Sequence, residues 1–366
     1  DDFLNGGTGD DILDVGAGNG SWQHPRGGGG NDTYLIGKNS GNIVVHEGAN
    51  AGTDTLQFKD LVLSDLAFSY VDTSDYGRAL LLSWNKDGDS GKVQVSNEGN
   101  DIERFEFADG SAFERMVVRD DGRFELYGSQ DQNDYILGTD SDDFILGGSG
   151  NDIIDVGAGV GSWQHARGEA GDDTYLIGSD ASNVAIQRTG EDTNGGFDTL
   201  RFKDLALSDM TLSTAQISGQ GTALYFNWNK NGQAGQLMLA DLGTHLERFE
   251  FADGNSLASI SVQPGGSLDL VGTSHDDRIT GTAAIDVLTG GSGSDTFVFT
   301  DQSGNDHVTD FTNGEDLIHI ESGATTFTDL VLEASGANAL VKFGGTTITL
   351  EGVQVTSLDQ GDFLFG

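Results

Sequence analysis

Short apolar runs recur along the chain at nine-residue intervals, and each run follows a group of glycines and an aspartate. The unit reads Gly-Gly-x-Gly-x-Asp-x-apolar-x and is clearest at 6–14, 147–155 and 290–298. Glycines permit the positive backbone angles of a tight turn, and the last three residues suit a short strand with its apolar side chain inward. One turn and one strand make half a coil, so the pattern predicts a series of stacked coils.

A longer repeat duplicates the first part of the chain. Trp22 recurs as Trp163, displaced by 141 residues, and Trp84 recurs as Trp228, displaced by 144. We expect three units, at 1–127, 128–261 and 262–366. After the coil of each copy, as in 54–61, 79–84, 93–95 and 102–110 of the first, apolar and polar residues alternate around Asp-Gly turns, which predicts antiparallel strands that continue and cap the coil. Glu103 and Glu106 on the last of these strands are expected to be surface charges.

The sixth position of the unit carries a carboxylate. Because turns alternate between two sides of the coil, turns 18 residues apart stack and bring their carboxylates and backbone carbonyls together. Such a cluster of oxygen atoms suits Ca²⁺. The sixth-position residues are Asp2, Asp11, Asp32, Asp134, Asp143, Asp152, Asp173, Asp277, Asp286 and Asp295. Asp306, 20 residues after Asp286, is an added candidate ligand.

The charge of the chain supports a cationic partner. Lys and Arg total 18 against 59 Asp and Glu, which gives a formal net charge of -41. This excess repels nucleic acid and anionic membranes, so we expect neither as a partner. The sequence has no cysteine and no apolar run long enough to span a membrane. Intrinsic disorder is not expected, because 36% of the residues are hydrophobic and they fall at regular positions.

These nonapeptides resemble the RTX family, whose repeats form a parallel β-roll with calcium between successive turns. The resemblance implies an all-β fold of tandem calcium-loaded β-rolls, each continued or capped by an antiparallel strand module. It also implies that turn glycine carbonyls join the aspartates as ligands. The matching glycines are Gly7, Gly9, Gly28, Gly30, Gly148, Gly150, Gly171, Gly291 and Gly293. The third unit is similar to the C-terminal β-roll of serralysin-like proteins through 286–299 and 304–306.

The pattern breaks twice, at equivalent places in the two copies. Gly20 and Gly161 stand at the sixth position, and a three-residue insertion follows each. Counting turns pairs Asp11 with Asp32 and Asp152 with Asp173. It leaves Asp2 facing Gly20 and Asp143 facing Gly161, so those two sites are expected to be weak or empty.

The motif Gly-Ser-Trp-Gln-His-x-Arg-Gly surrounds both breaks. Its aromatic, imidazole and guanidinium groups suit a sugar-binding platform. The alternative is structural, with the tryptophan filling the inward apolar position of the coil. The candidate ligand-binding residues are Trp22, His24, Arg26, Trp163, His165 and Arg167.

No catalytic motif occurs: the chain lacks a second His after His46-Glu47, a Gly-x-Ser-x-Gly elbow and a phosphate-binding loop. The ending, 362–366, is similar to the signal of type I secretion substrates, and the start within a repeat suggests further domains upstream. We expect a non-catalytic, extracellular region that folds on Ca²⁺ after type I secretion and stabilises or displays an upstream domain. The alternatives are an adhesin or carbohydrate-binding module, or the C-terminal tail of a secreted protease, lipase or polysaccharide epimerase.

Overall fold

Strands and turns make up nearly all of the chain in a computed structural model. The residues described are 2–18, 20–47, 52–73, 77–96, 102–119, 123–159, 163–186, 196–217, 221–240, 246–263 and 265–366. They fall into two compact units. From here on, the first unit means 1–175 with 189–196, and the second unit means 176–188 with 197–366. Within these described ranges, no helix is long and apolar enough to cross a membrane.

The strands of the first unit are short and follow one another through glycine-rich turns. They are β1 (Phe3–Thr8), β2 (Ile12–Asp14), β3 (Trp22–Gly29), β4 (Thr33–Ile36), β5 (Asn42–Val45), β6 (Thr55–Phe58), β7 (Leu66–Thr73), β8 (Gly77–Lys86), β9 (Asp89–Val95), β10 (Arg104–Glu106), β11 (Ala112–Phe113), β12 (Arg115–Val118), β13 (Phe124–Tyr127), β14 (Tyr135–Leu137), β15 (Asp143–Ser149), β16 (Ile153–Asp155) and β17 (Trp163–Ala170). A 3₁₀ turn at Leu63–Asp65 precedes β7.

Alternate strands of the first unit enter two different parallel sheets, which is the β-roll arrangement. One sheet contains β1, β3, β5 and β9 in that order, and the other contains β2, β4, β6 and β10. The strands β13, β15 and β17 pair in parallel in the same way, and β14 pairs with β16.

The strands of the second unit repeat this order and extend it to the last residues. They are β19 (Asn183–Ile186), β20 (Thr199–Phe202), β21 (Met210–Ile217), β22 (Gly221–Lys230), β23 (Gln233–Leu239), β24 (Arg248–Glu250), β25 (Ser256–Leu257), β26 (Ser259–Val262), β27 (Leu268–Val271), β28 (Arg278–Thr280), β29 (Val287–Thr289), β30 (Thr296–Phe299), β31 (Asn305–Val308), β32 (Leu317–Ile320), β33 (Val331–Ser335), β34 (Asn338–Phe343), β35 (Thr346–Leu350) and β36 (Phe363–Phe365). The strand β18 (Thr174–Ile177) begins in the first unit and ends in the second. Short 3₁₀ turns lie at Leu207–Asp209, Phe327–Asp329, Val355–Ser357 and Gln360–Asp362.

Two facing series of parallel strands also form the last part of the second unit. β27, β29, β31 and β35 pair in one sheet, and β28, β30, β32 and β36 pair in the other. Residues Phe363–Phe365, which the sequence marks as similar to a secretion signal, therefore form the edge strand of this roll.

The predicted antiparallel modules are present but smaller than expected. In the first unit β7, β8 and β9 pair antiparallel, with Asp87 and Gly88 at positive φ of 53° and 89° in the turn between β8 and β9. Two segments assigned to the module belong instead to the roll: β6 is parallel to β4, and β10 is parallel to β6. Apolar and polar residues alternate in parallel and in antiparallel strands alike, so this alternation could not show which segments belong to the roll.

Columns of apolar side chains hold the coils together. In the first unit Leu13, Tyr34, Leu56 and Phe105 stand opposite one another across four parallel strands, and each is buried. Ile279, Phe297, Ile318 and Phe363 form the matching column of the second unit. Each such side chain contributes about 1.5–3 kcal/mol when fully buried. This core fixes the position of each turn along the stack of coils, and therefore the positions of the carboxylates beside it.

Candidate calcium sites

A ladder of carboxylates runs along the coils at the sixth position of the turns. The backbone N–H of Asp11 donates to Oδ1 of Asp32 at 2.8 Å, and that of Asp32 donates to Oδ1 of Asp54 at 2.9 Å. The same bond joins Asp134 to Asp152, Asp152 to Asp173, Asp277 to Asp295, Asp286 to Asp306 and Asp295 to Asp316. Each carboxylate is therefore positioned by the backbone of the preceding turn on the same side.

The second oxygen of several ladder carboxylates is buried and unsatisfied. Among the described residues, Oδ2 of Asp11, Asp32, Asp152 and Asp306 is buried without a hydrogen-bond partner. An unpaired buried carboxylate oxygen is costly, because it loses its hydration without replacement. Oxygen-only surroundings with such orphaned atoms fit a hard cation, and Ca²⁺ accepts the irregular geometry that a flexible turn provides.

Two kinds of turn differ in whether they donate hydrogen bonds to this second oxygen, Oδ2. In the Gly-Gly turns, which end at Asp11, Asp32 and Asp152, the second residue is glycine at positive φ, as at Gly148 with φ 105°. In the Gly-Thr turns, which end at Asp143, Asp277 and Asp286, the second residue is threonine. There the threonine backbone N–H and hydroxyl both donate to Oδ2 of the aspartate.

The Gly-Thr turns thus satisfy their own carboxylates, whereas the Gly-Gly turns leave theirs available. A positive φ rotates the second peptide, and threonine does not adopt it here. At Asp11, Asp32 and Asp152 on one side and Asp143, Asp277 and Asp286 on the other, the identity of this one residue goes with the presence or absence of an orphaned oxygen.

Burial makes the ladder carboxylates weaker acids. It raises the pKa of Asp143 and Asp306 to about 7, with neighbouring aspartates adding to the effect. It raises the pKa of Asp54, Asp152 and Asp295 to about 6. A shift of this sign means that the ionised carboxylates are poorly stabilised by the protein alone, so a nearby cation would stabilise them.

Backbone carbonyls of one turn face the next turn on the same side. A Cβ placed on Gly28 would clash with the carbonyl oxygen of Gly7, and one on Gly30 would clash with that of Gly9. All the glycines predicted to bind calcium through their backbone carbonyl oxygens have positive φ, namely Gly7, Gly9, Gly28, Gly30, Gly148, Gly150, Gly171, Gly291 and Gly293. The close stacking brings carbonyl and carboxylate oxygens to the same region.

Two predicted ligands are placed differently from the rest. Asp2 is exposed, and Phe3 stands opposite His24, which sets Asp2 level with Gln23 and not with Gly20 as expected. The three extra residues therefore enter before Trp22 and not after Gln23. Asp134 has both oxygens partnered, by the backbone N–H of Ser129 at 2.5 Å and by Arg104 at 3.4 Å. Gly161 lies outside the described residues.

Sequence reasoning missed several members of the ladder. Asp54 continues it after Asp32, and the backbone N–H of Asp54 donates to Oε2 of Glu103 at 2.8 Å. Glu103 is thus half-buried in the ladder and is not the surface charge that we expected. In the second unit Asp198 donates in the same way to Glu247 at 2.8 Å. The signal was present, because Gly-x-Asp-Thr-Leu precedes both β6 and β20.

The tryptophans of the duplicated motif face outward, contrary to the structural alternative. In β3 the buried positions are Gln23, Pro25 and Gly27, while Trp22 is half-buried. The side chain of Gln23 donates to the backbone oxygen of Ser40 at 2.6 Å, which satisfies the amide inside the coil. β17 has the same burial pattern, with Gln164 inward.

A cleft of about 330 Å³ adjoins the second motif. Trp163 and His165 line it together with Asp142, and the guanidinium of Arg167 lies 5.1 Å from the ring centroid of Phe144 beside it. Asp142 is 5% exposed, and its Oδ1 is buried without a hydrogen-bond partner among the described residues. In the first motif, His24 stacks on Phe3 with ring centroids 5.0 Å apart.

The RTX calcium-binding nonapeptide repeat matches this chain in four copies, over residues 1–21, 130–161 and 271–308. No curated protein matches the chain. Among solved structures, the chain is similar to the extracellular lipase LipA from Serratia marcescens. The identity is 14% and the TM-score 0.20, over 94% of this chain and 67% of that one. The chain therefore carries RTX calcium-binding repeats, and its parallel strands fold as a β-roll.

Proposed function

We propose that this chain is a non-catalytic region that folds when extracellular calcium binds its stacked turns, after export by a type I secretion system. The folded roll then stabilises or displays a domain that precedes it. Extracellular calcium modules have dissociation constants of about 10⁻⁴ to 10⁻³ M. Such affinities place the folding transition between the low calcium of the cytosol and the high calcium outside the cell.

The buried, orphaned Oδ2 atoms of the Gly-Gly turns carry this proposal. Two carboxylates about 5 Å apart repel each other by roughly 3 kcal/mol at an effective dielectric constant of about 20. Asp11, Asp32 and Asp54 are neighbours in one ladder, so this repulsion adds along the coil. Calcium bound between turns would remove the repulsion and satisfy the orphaned oxygens, whereas in its absence the net charge of -41 opposes collapse.

Circular dichroism during a calcium titration tests calcium-dependent folding. We expect the strand signal to be weak in chelator and to rise cooperatively at about 10⁻⁴ to 10⁻³ M free calcium. Magnesium at the same concentration is the control, because it demands a stricter octahedral geometry and dehydrates reluctantly. A chain that keeps its full strand signal in chelator would refute the proposal.

A second function, glycan binding, is supported by the cleft beside Trp163. Its rim offers an aromatic ring, and its wall offers Asp142 with an unsatisfied buried oxygen. A ring for stacking and a few placed polar groups are what a sugar site needs. This surface would make the chain an adhesin or carbohydrate-binding module.

A glycan array with Trp163→Ala and Asp142→Asn tests this second function. Both variants are expected to lose binding that Trp22→Ala retains, since Trp22 has Lys92 lying 5.0 Å over its ring. Calcium-dependent dichroism confirms that each variant is folded. Equal binding by wild type and by both variants would exclude the cleft as a glycan site.

A further inference from the structure

Three carboxylates from three different turns converge in the first unit. Ligand oxygens of Asp32, Glu47 and Asp54 all lie within 4.8 Å of one another. Asp32 and Asp54 precede the paired strands β4 and β6, where Thr33 stands opposite Thr55. Glu47 comes instead from the end of β5, on the other sheet of the roll. Its side chain reaches the ladder because Gly27 donates a backbone hydrogen bond to Glu47 Oε1 at 2.8 Å.

Two members of this cluster are buried and Glu47 is half-buried, and no cationic side chain in the described part of the chain pairs with Glu47 or Asp54. Asp32 is 0% exposed and Asp54 1% exposed. Oδ2 of Asp32 and Oε2 of Glu47 are both buried without a hydrogen-bond partner in the described part of the chain. The bonds that the cluster receives come from backbone N–H groups of Asp11, Asp32, Gly27 and Gly28, which are neutral. Three carboxylates, two of them buried and all supported by neutral donors, would be stabilised by a cation.

We propose that Asp32, Glu47 and Asp54 form a calcium site in which a glutamate side chain takes part beside the ladder aspartates. The donor set is oxygen only, as Ca²⁺ prefers. The site lies outside the segments that match the RTX repeat, which cover 1–21, 130–161 and 271–308. Glu47 is not a sixth-position residue, so the nonapeptide pattern does not report it.

The duplicated copy has the opposite charge at the corresponding place. Residue 188, which follows Glu47 by the 141-residue displacement that relates Trp22 to Trp163, is arginine. An arginine carries its own positive charge and cannot ligate a cation. The glutamate-dependent site therefore belongs to the first copy alone, and the two copies bind different numbers of ions.

Counting bound calcium in the full chain tests the site. Equilibrium dialysis at saturating calcium should show one ion fewer in Glu47→Gln than in wild type. Glutamine keeps an oxygen to accept from Gly27, so the turn is preserved while the charge is lost. Asp72→Asn, which removes one exposed carboxylate, is the matched control and should bind as many ions as wild type. An unchanged ion count and affinity in Glu47→Gln would overturn the proposal.

Terbium luminescence gives a second readout that is local to the site. The hydroxyl of Tyr34 lies 2.6 Å from the Gly27 nitrogen that also donates to Glu47, so Tyr34 excitation should sensitise Tb³⁺ bound there. The luminescence that is lost in Tyr34→Phe is the part excited through Tyr34. In Glu47→Asp the side chain is one methylene shorter, so we expect this part to need at least about tenfold more Tb³⁺ than in wild type. Equal titrations for Glu47→Asp and wild type would overturn the site. If wild type folds in chelator but Glu47→Gln still loses one ion, only the folding proposal fails.

Discussion

The Gly-Gly turns and the Gly-Thr turns differ in how they stabilise the buried aspartate at their end. Each must accommodate a buried aspartate at its end, Asp152 in the first kind and Asp143 in the second. Thr139 supplies Asp143 with a backbone N–H at 2.5 Å and a hydroxyl at 3.0 Å. The glycine at the same place, Gly148, supplies Asp152 with neither. The first kind of turn is therefore built to depend on a cation, and the second is largely self-sufficient.

This difference teaches that calcium dependence is not spread evenly along the repeats. A turn that satisfies its own carboxylate can form before the ion binds, whereas a turn with an orphaned oxygen gains most from binding. The two kinds lie next to each other at Asp143 and Asp152 in the first unit. A turn that satisfies its own carboxylate thus neighbours a turn that leaves an oxygen orphaned.

The largest effect is expected from pH, through the buried carboxyl group of Asp143. Burial raises the pKa of Asp143 from its ordinary value of 3.8 to about 7 in the folded state, so the folded state holds more protons between these values. Stability is then fully present below about pH 4 and is lost as pH rises through about 7. Between pH 5 and pH 8, Asp143 alone should account for a loss of about 3 kcal/mol, at 1.36 kcal/mol per pKa unit.

Urea unfolding at the two pH values, at the lowest calcium concentration that folds the chain, measures this effect. Asp143→Asn is the control, because the amide does not titrate and its pH dependence should be shallower. A loss of stability with pH that is no larger in wild type than in Asp143→Asn would contradict the expected contribution of Asp143.

The next largest effect is expected from Gly148→Ala. Gly148 has φ 105°, and a Cβ there would clash with the carbonyl oxygen of Ser129. Backbone strain of this kind costs about 1–3 kcal/mol, and the clash adds to it. Gly9→Ala is the matched control, because Gly9 has φ 102° and open space around its Cβ position. Urea unfolding at saturating calcium should show a loss near the top of this range for Gly148→Ala and a smaller loss for Gly9→Ala.

Much of this architecture could be predicted from the sequence, because glycine spacing and inward apolar residues act locally. The nonapeptide pattern located the turns and paired Asp11 with Asp32 correctly. The pattern did not predict that Gln23 points inward. A polar side chain can do so only if the fold offers a hydrogen-bond partner, here the backbone oxygen of Ser40. The ladder residues Asp54 and Glu103 were also missed. The Gly-x-Asp before β6 was a signal for Asp54, whereas Glu103 joins it from a strand 49 residues later in the sequence, a separation that no short period encodes.

A direct test of the two kinds of turn compares Asp152→Asn with Asp143→Asn. Asp152→Asn removes a negative charge from a carboxylate with an orphaned oxygen, so the calcium midpoint of folding should rise by about tenfold, equivalent to about 1.4 kcal/mol. Asp143→Asn turns an NH₂ group or a weaker acceptor toward Thr139, so it should destabilise the chain by a similar amount at every calcium concentration. Thermal unfolding over a calcium series distinguishes the two. Equal shifts of the calcium midpoint would remove the distinction between the turns.

The smallest effect is expected from Thr139→Val. The substitution keeps the β-branched shape and the backbone N–H but removes the hydroxyl that donates to Asp143. The loss of one such hydrogen bond to a charged group costs about 1.5–3 kcal/mol when buried, and less here because the backbone N–H remains, so we expect about 1 kcal/mol. The loss should be largest above pH 7, where Asp143 is ionised, and should shrink at pH 5, where a protonated carboxyl no longer needs the donor. Thr139→Ser, which restores a hydroxyl at the same place, is the control and should recover most of the stability. A loss that is the same at both pH values would mean that the hydroxyl serves packing and not the carboxylate, and the Gly-Thr turn would then owe its independence to the backbone N–H alone.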